Sequence, residues 1–268
     1  MTEEKIYELH LPYPGKGERL VRVFVPEHRE GETLPVIYMT DGQNLFDEET
    51  STFVCWHTRE AVRASLESGA GAAIIVGIHA DPDPFGRTDE LTPKCIGTIC
   101  CPPELPDELI INLQPKGEIF DDFLVNTVMP AVEARFPVQK GRSATAVCGS
   151  SSGGLQAYYT AVAHPDIFCA AGVLSPAFLV YKPGDIQRWT AEMLRPGMPF
   201  LYIYSGAGDK QEEIICRFTE EVCGFLTECY PPGGFCEVIL PENIHHESAW
   251  EPIFTDFLHT FLTRKEEL

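Results

Sequence analysis

Basic charge is what this chain has least of. Lys and Arg number 20 against 40 Asp and Glu, which leaves a formal charge of −20 over 268 residues. A surface of that sign repels phosphate backbones and anionic lipid headgroups, so nucleic acid and membrane surfaces are excluded as expected partners. Long apolar runs are also missing: no stretch approaches the roughly 20 residues that a bilayer-spanning helix requires. The first residues, Met-Thr-Glu-Glu-Lys, lack the basic and apolar regions of a secretory leader, and a cytoplasmic location is the expectation. Among ten cysteines there is no Cys-x-x-Cys pair, so a zinc site would need unusual spacing, and free thiols are expected in the absence of a leader. Internal repeats and low-complexity tracts are absent.

What is present is enough for a sizeable core: 44% of residues are hydrophobic, and chains of this length often form one α/β domain. Short β-type runs alternate with helical patterns. Lys5–His10 and Arg19–Val25 read as paired strands, and Pro35–Met39 and Ala72–Ile78 as buried strands. Phe168–Leu174, Pro199–Tyr204 and Phe235–Leu240 read as later strands. Helical spacing covers Cys55–Glu67, Gly117–Phe136 with Pro130 as a kink, Glu212–Cys229 and Ser248–Leu262. Such alternation predicts a mostly parallel central sheet with helices on both faces, spanning residues 1–268 as a single domain. Residues 80–116 interrupt the rhythm. They are rich in proline and aspartate, carry Cys95, Cys100 and Cys101, and read as an excursion over the active-site face. The part from 95 to 106 is expected to form a wall of the substrate entrance; a flap packed away from the site is the competing expectation.

The chemistry concentrates at Ala144-Thr-Ala-Val-Cys-Gly149-Ser-Ser151-Ser-Gly153. An apolar run enters Gly-x-Ser-x-Gly and a small-residue run leaves it, which is the pattern of a nucleophile elbow between a strand and a helix. Only Ser151 has glycines two residues away on both sides. A polar loop of Gly and Ser is the plain alternative, disfavoured by the apolar runs at both ends. In a parallel sheet the reactive groups gather beyond the carboxyl ends of the strands. Two such ends carry suitable partners. Phe200–Tyr204 runs into Ser205-Gly-Ala-Gly-Asp209, and Glu237–Leu240 runs into Pro241-Glu-Asn-Ile-His245-His246. The order Ser, Asp, His fits a charge-assisted triad, with His245 or His246 as base and Asp209 as its orienting acid. Glu212 and Glu213 are set aside as residues inside the following helix. His79 also follows a strand, but on the wrong side of Ser151 for that order.

Several pieces taken together resemble the putative-esterase family of α/β-hydrolases, which includes feruloyl esterases, siderophore esterases, esterase D and mycolyltransferases. They are Val36–Asp47 with Asp41-Gly42-Gln43-Asn44, Arg87-x-x-Glu90-Leu-Thr-Pro93, Cys148–Leu155, Leu174-Ser-Pro-Ala-Phe178 and His245-x-Glu247-x-x-Trp250. The resemblance implies an α/β-hydrolase fold and an esterase that works through an acyl-enzyme without metal or organic cofactor. Its substrate would be a small-molecule or oligosaccharide ester. It implies His245 as the base, five residues before Trp250, and the amides of Gln43 and Ser152 as the oxyanion hole. It implies Asn44, Phe178 and Trp250 as substrate contacts, and Arg87 and Glu90 as a pair that pins the start of the excursion. Acyl transfer on the same triad and a non-catalytic binding protein are the alternatives.

Overall fold

The computed structural model describes residues 1–264. An eight-stranded sheet organises them, with strands β1 (Lys5–Tyr13), β2 (Gly17–Val25), β3 (Val36–Met39), β4 (Ile74–Ile78), β5 (Thr145–Ser150), β6 (Ala170–Leu174), β7 (Phe200–Gly206) and β8 (Phe235–Leu240). Their spatial order is β1-β2-β4-β3-β5-β6-β7-β8. β1 and β2 form an antiparallel pair, β2 meets β4 antiparallel, and every pairing from β4 to β8 is parallel. β3, β4, β5, β6 and β7 are buried at every position, which explains their continuous apolar runs: both faces are covered. This is the mostly parallel sheet covered on both faces that the alternation of elements predicts, in the α/β-hydrolase arrangement that the resemblance implies.

The helices are α1 (Thr58–Glu67), α2 (Pro84–Glu90), α3 (Glu108–Ile111), α4 (Gly117–Phe123), α5 (Met129–Glu133), α6 (Ser152–Ala163), α7 (Asp185–Met193), α8 (Lys210–Cys229) and α9 (Glu247–Arg264). Two apolar clusters lie on the opposite faces of the sheet. One packs Phe120, Phe123, Leu155 and Tyr158 against Val23, Val76 and Val147. The other packs Trp250, Phe254 and Phe257 against Ile37, Ile75 and Cys148. α4 passes through a π-helical turn, Leu124–Val128, before α5 begins. Pro130 lies at the start of α5, where its missing amide costs little, so the expected kink takes the form of this wide turn.

The 80–116 segment divides into two parts of different kinds. Its first part folds as α2 and is fastened by charge. Glu90 takes a bidentate pair from Arg19 at 2.6 and 2.8 Å and a backbone bond from Asp81. Arg87 forks onto Asp41 at 2.5 and 2.8 Å. Residues 95–101 instead run beside the turn that follows β6. Ile99 bridges to Tyr181, Cys100 N–H donates to Val180, and Lys182 N–H donates to Thr98. Ile99, Cys101 and Leu105 pack on the hydrophobic core. The ten cysteines form no disulfide among the described residues.

Candidate active site

Ser151 stands between β5 and α6 at φ 58°, ψ −124°. Few non-glycine residues adopt such a conformation, and the strain persists because the neighbours fix it. A Cβ on Gly149 would strike the carbonyl of Gly153, and one on Gly153 would strike the side chain of Thr40. The spacing Gly-x-Ser-x-Gly is therefore a steric requirement of bringing β5, β3 and α6 this close. Ser151 N–H donates to Leu174 O at 2.9 Å, and its own carbonyl accepts from Leu155 and Ala177. The residue is held on three sides while its hydroxyl projects toward the strand ends.

His245 answers it from the loop between β8 and α9. Its Nε2 lies 3.0 Å from Ser151 Oγ, and its ring meets Trp250 edge-on at 4.9 Å between centroids. His246 instead points its Nδ1 to Ser248. The choice between the adjacent imidazoles therefore falls on His245, five residues before the tryptophan.

Asp209 does not take the position expected of it. It is the N-cap of α8: Oδ1 accepts from Glu212 N–H at 2.8 Å, and Oδ2 accepts from the backbone N–H of His245 at 2.8 Å. Burial alone would raise its pKa, but these amides hold it below the ordinary carboxylate value. The carboxylate on the ring is Glu212, whose Oε2 lies 2.6 Å from His245 Nδ1. Glu212 is fully buried. Its Oε1 accepts from Gly206 N–H at 2.8 Å and from the hydroxyl of Ser175, which in turn accepts the indole N–H of Trp250 at 2.9 Å.

Membership of a helix ranks Glu212 below Asp209 in the sequence, yet Glu212 occupies the helix's first turn. There Cα–Cβ bonds lean toward the helix N-terminus, which here faces the sheet's carboxyl edge. The missed signal is Asp209-x-x-Glu212: a capping residue followed three positions later by Glu marks a helix start. Ser175 was missed as well. Leu174-Ser-Pro-Ala-Phe178 does reach the site, but through Ser175. Phe178 is buried against Tyr158 in the core at 5.1 Å, outside the cavity.

Gln43 is the middle residue of the 3-10 turn Gly42–Asn44 after β3, which Asp41 enters with a left-handed φ of 55°. Gly42 lies so close to the backbone of Gly77 that any side chain would collide with it. The amides of Gln43 and Ser152 carry no acceptor among the described residues, and Ser152 opens α6, where amides lack intrahelical partners and the dipole favours negative charge. Gln43 Oε1 accepts from Ala80 N–H at 3.0 Å.

These groups share a cavity of about 480 Å³ lined by Gln43, Ser151, His245 and Trp250 together with the aromatic rings of Trp56 and Phe53. Asn44 also lines it, with Oδ1 held by Thr52 N–H at 2.9 Å. Ala80, Pro82, Pro84 and Arg87 from the first part of the excursion, and Leu109 of α3, complete one side. None of residues 95–106 contributes to it. The expected entrance wall is thus built by 80–88 and Leu109, and the cysteine-bearing part is the flap packed elsewhere. His79 lines the cavity too, with burial and the charges of Arg22 and Arg19 pulling its pKa down to about 4. No cluster of three or more metal-ligating side chains occurs among the described residues.

Residues 15–94 and 103–217 match the family described as "Putative esterase". A siderophore triacetylfusarinine C esterase of Aspergillus fumigatus is 33% identical over 168 residues, 59% of this chain and 51% of that protein. A siderophore enterobactin esterase of Emericella nidulans is 34% identical over 157 residues, 55% of this chain and 47% of that protein. The chain thus spans about half the length of these two curated relatives. Among solved structures, the siderophore hydrolase EstA from Aspergillus nidulans superposes with a TM-score of 0.70 at 20% identity, covering 97% of this chain and 94% of that one. A ferulic acid esterase from Anaeromyces mucronatus does so with a TM-score of 0.67 at 18% identity, covering 98% and 92%. At those identities the likeness is one of fold.

Proposed function

The chain belongs to the Putative esterase family, and from that premise we propose that it hydrolyses carboxylic esters through an acyl-enzyme on Ser151, with His245 as base and Glu212 as the acid. The observation that carries this reading is the unbroken line Ser151 Oγ, His245 Nε2, His245 Nδ1, Glu212 Oε2, with spacings of 3.0 and 2.6 Å. Ser151 Oγ attacks the ester carbonyl while His245 Nε2 takes its proton. The C–O bond to the alcohol then breaks, and Nε2 hands that proton to the departing oxygen. Water repeats the sequence on the acyl-enzyme: it gives a proton to Nε2, adds to the carbonyl, and Ser151 leaves with the proton returned.

Glu212 fixes the tautomer that carries the proton on Nδ1 and stabilises imidazolium as it forms. Asp209 holds the loop instead, by tying the backbone of His245 to the start of α8. The Gln43 and Ser152 amides receive the developing oxyanion, and loss of one such donor typically costs about 10²–10³ in turnover.

The cavity's aromatic lining by Trp56, Trp250 and Phe53 favours an ester with apolar or aromatic groups. The two relatives named as siderophore esterases, at 33% and 34% identity, support a siderophore-type ester ahead of a plant-wall one. A fluorophosphonate probe followed by an ester panel tests the proposal: p-nitrophenyl acyl chains, a feruloyl ester and a catecholate trilactone. Labelling of Ser151 with turnover of the trilactone is expected. Absence of labelling would overturn the hydrolase reading, and a feruloyl preference would overturn the substrate choice.

A further inference from the structure

Glu247 is a carboxylate that the catalytic line does not use. It opens α9 two residues after His245, is only 7% exposed, and lines the same cavity as Ser151, His245, Trp56 and Trp250. The other acids near the cavity are matched. Asp41 is forked by Arg87, Asp81 is bound by Lys16, and Glu90 is forked by Arg19. Glu247 has no such partner. Among the described residues its carboxylate meets only its own backbone amide, while Arg87 and His246 act on it at longer range and Asp41 opposes them. Burial pushes its pKa up, as it does for a carboxylate removed from water with no adequate counter-charge. Trp56 and Trp250, whose ring centroids are 6.1 Å apart, and Phe53 line the same cavity.

A buried carboxylate without a bonded counter-charge, in a cavity that aromatic side chains also line, suits an organic cation. We propose that Glu247 is a specificity residue that binds an ammonium group carried by the ester substrate. This rests on the esterase reading and adds to it a preference for esters with a cationic group within reach of the reacting carbonyl, in the acyl or the alcohol part. The formal charge of −20 acts in the same direction over longer range, by drawing cations toward the surface.

Two matched pairs of esters distinguish the two parts. The p-nitrophenyl ester of an ω-amino fatty acid is compared with its chain-matched alkanoate, and butyrylcholine with dimethylbutyl butyrate, its uncharged isostere. In the wild-type protein the ammonium member of at least one pair should have about tenfold higher kcat/KM, and Glu247→Gln should bring that ratio close to one. Tetramethylammonium should inhibit cleavage of the neutral ester competitively, a readout that requires no variant. Ratios at or below one in both pairs, a ratio that survives Glu247→Gln, or absence of competitive inhibition would overturn the proposal. Protein that labels with fluorophosphonate yet shows no ammonium preference defeats this inference alone. Protein that neither labels nor cleaves any member defeats the esterase reading beneath it.

Discussion

The corner after β5 and the corner after β7 each deliver a functional group to the same edge of the sheet, but they do so under different constraints. At the first, backbone crowding leaves almost no choice. Gly149 and Gly153 are the only residue type that fits against Thr40 and each other, and Ser151 between them is forced to φ 58°. At the second, two carboxylates three residues apart both bond at the site, and geometry divides the work. Asp209 holds backbone and Glu212 holds the ring. A corner fixed by steric exclusion can be read from residue types, whereas one fixed by side-chain direction cannot.

The largest expected effect tests the first corner. Ser151→Ala should fold normally and lose turnover by a factor on the order of 10⁴–10⁶, together with all fluorophosphonate labelling. His245→Ala should fall in the same range, while His246→Ala, whose ring meets Ser248, should cost less than about tenfold. Labelling that persists in Ser151→Ala, or that sits on Ser150 or Ser152 in wild type, would break the comparison at its better-defined end.

The second corner is sharpened by amide substitutions that keep volume. Glu212→Gln should lower kcat by about 10⁴, because the amide can present its NH₂ to Nδ1 and favour the wrong tautomer, as loss of the orienting acid does elsewhere. Asp209→Asn retains an oxygen for one of the two amides and should cost about tenfold or less in kcat. Its native pKa lies below the ordinary value, so its contribution to stability is present above the unfolded-state pKa and is lost as pH falls through the folded one. The variant should therefore show a shallower loss of stability under acid than wild type. Steady-state kinetics and urea midpoints on both variants decide the matter. Equal losses in kcat would mean that the two carboxylates share the role.

How far the sequence could be read follows the same division. The eight strands and the longer helices declare themselves because buried parallel strands need unbroken apolar runs and helices need a stripe. Their ends shift by one to three residues, as at Tyr13 against an expected end at His10, Thr58 against an expected start at Cys55, and Lys210 against Glu212. Gln43, Ser151, Ser152, Asn44, His245 and Trp250 all reach the cavity or the groups that face it. Asp209 and Phe178 do not hold the expected positions, since a residue after a strand end can turn toward ring, backbone or core, and composition does not record which. Ser175 was invisible for a related reason: its use depends on Trp250 and Glu212 arriving from two distant segments.

A third corner, after β4, offers an internal control on what makes an imidazole useful. His79 also follows a strand and lines the cavity, but no carboxylate is bonded to its ring among the described residues, and its Nε2 is buried without a partner. Burial, then Arg22 and Arg19, place its pKa at about 4 instead of 6.5. A depressed native pKa means that between pH 6.5 and about 4 the unfolded chain binds the extra proton and the native protein does not. Stability should therefore decline as pH falls through that window, with a slope of at most about 1.4 kcal/mol per pH unit from this group. His79→Gln should remove on the order of 1–2 kcal/mol of the loss between the two ends. Urea denaturation of both proteins at several pH values measures it; parallel pH profiles would show that His79 is charged or solvated in the native state.

The smallest expected effect on catalysis comes from the part of the excursion that does not touch the site. Residues 95–101 are bonded to Val180, Tyr181 and Lys182, and Thr98 N–H donates to the buried Asp185 at the start of α7. Ile99, Cys101 and Leu105 add apolar contacts to the core below. This part serves α7 and the turn before it, whereas 80–88 serves the cavity. Replacing Ile99 by Ala removes a partly buried aliphatic side chain, and a loss of about 1–2 kcal/mol in stability is expected, less than the cost at a fully buried site. Michaelis constants and acyl preference should stay within about twofold of wild type, since no atom of this part lines the cavity. Arg87→Ala, on the other half, should change both, because Arg87 lines the cavity and clamps Asp41 next to the 3-10 turn that holds Gln43. A changed substrate profile in Ile99→Ala at unchanged stability would return the cysteine-bearing part to the entrance, and the division of the excursion would have to be redrawn.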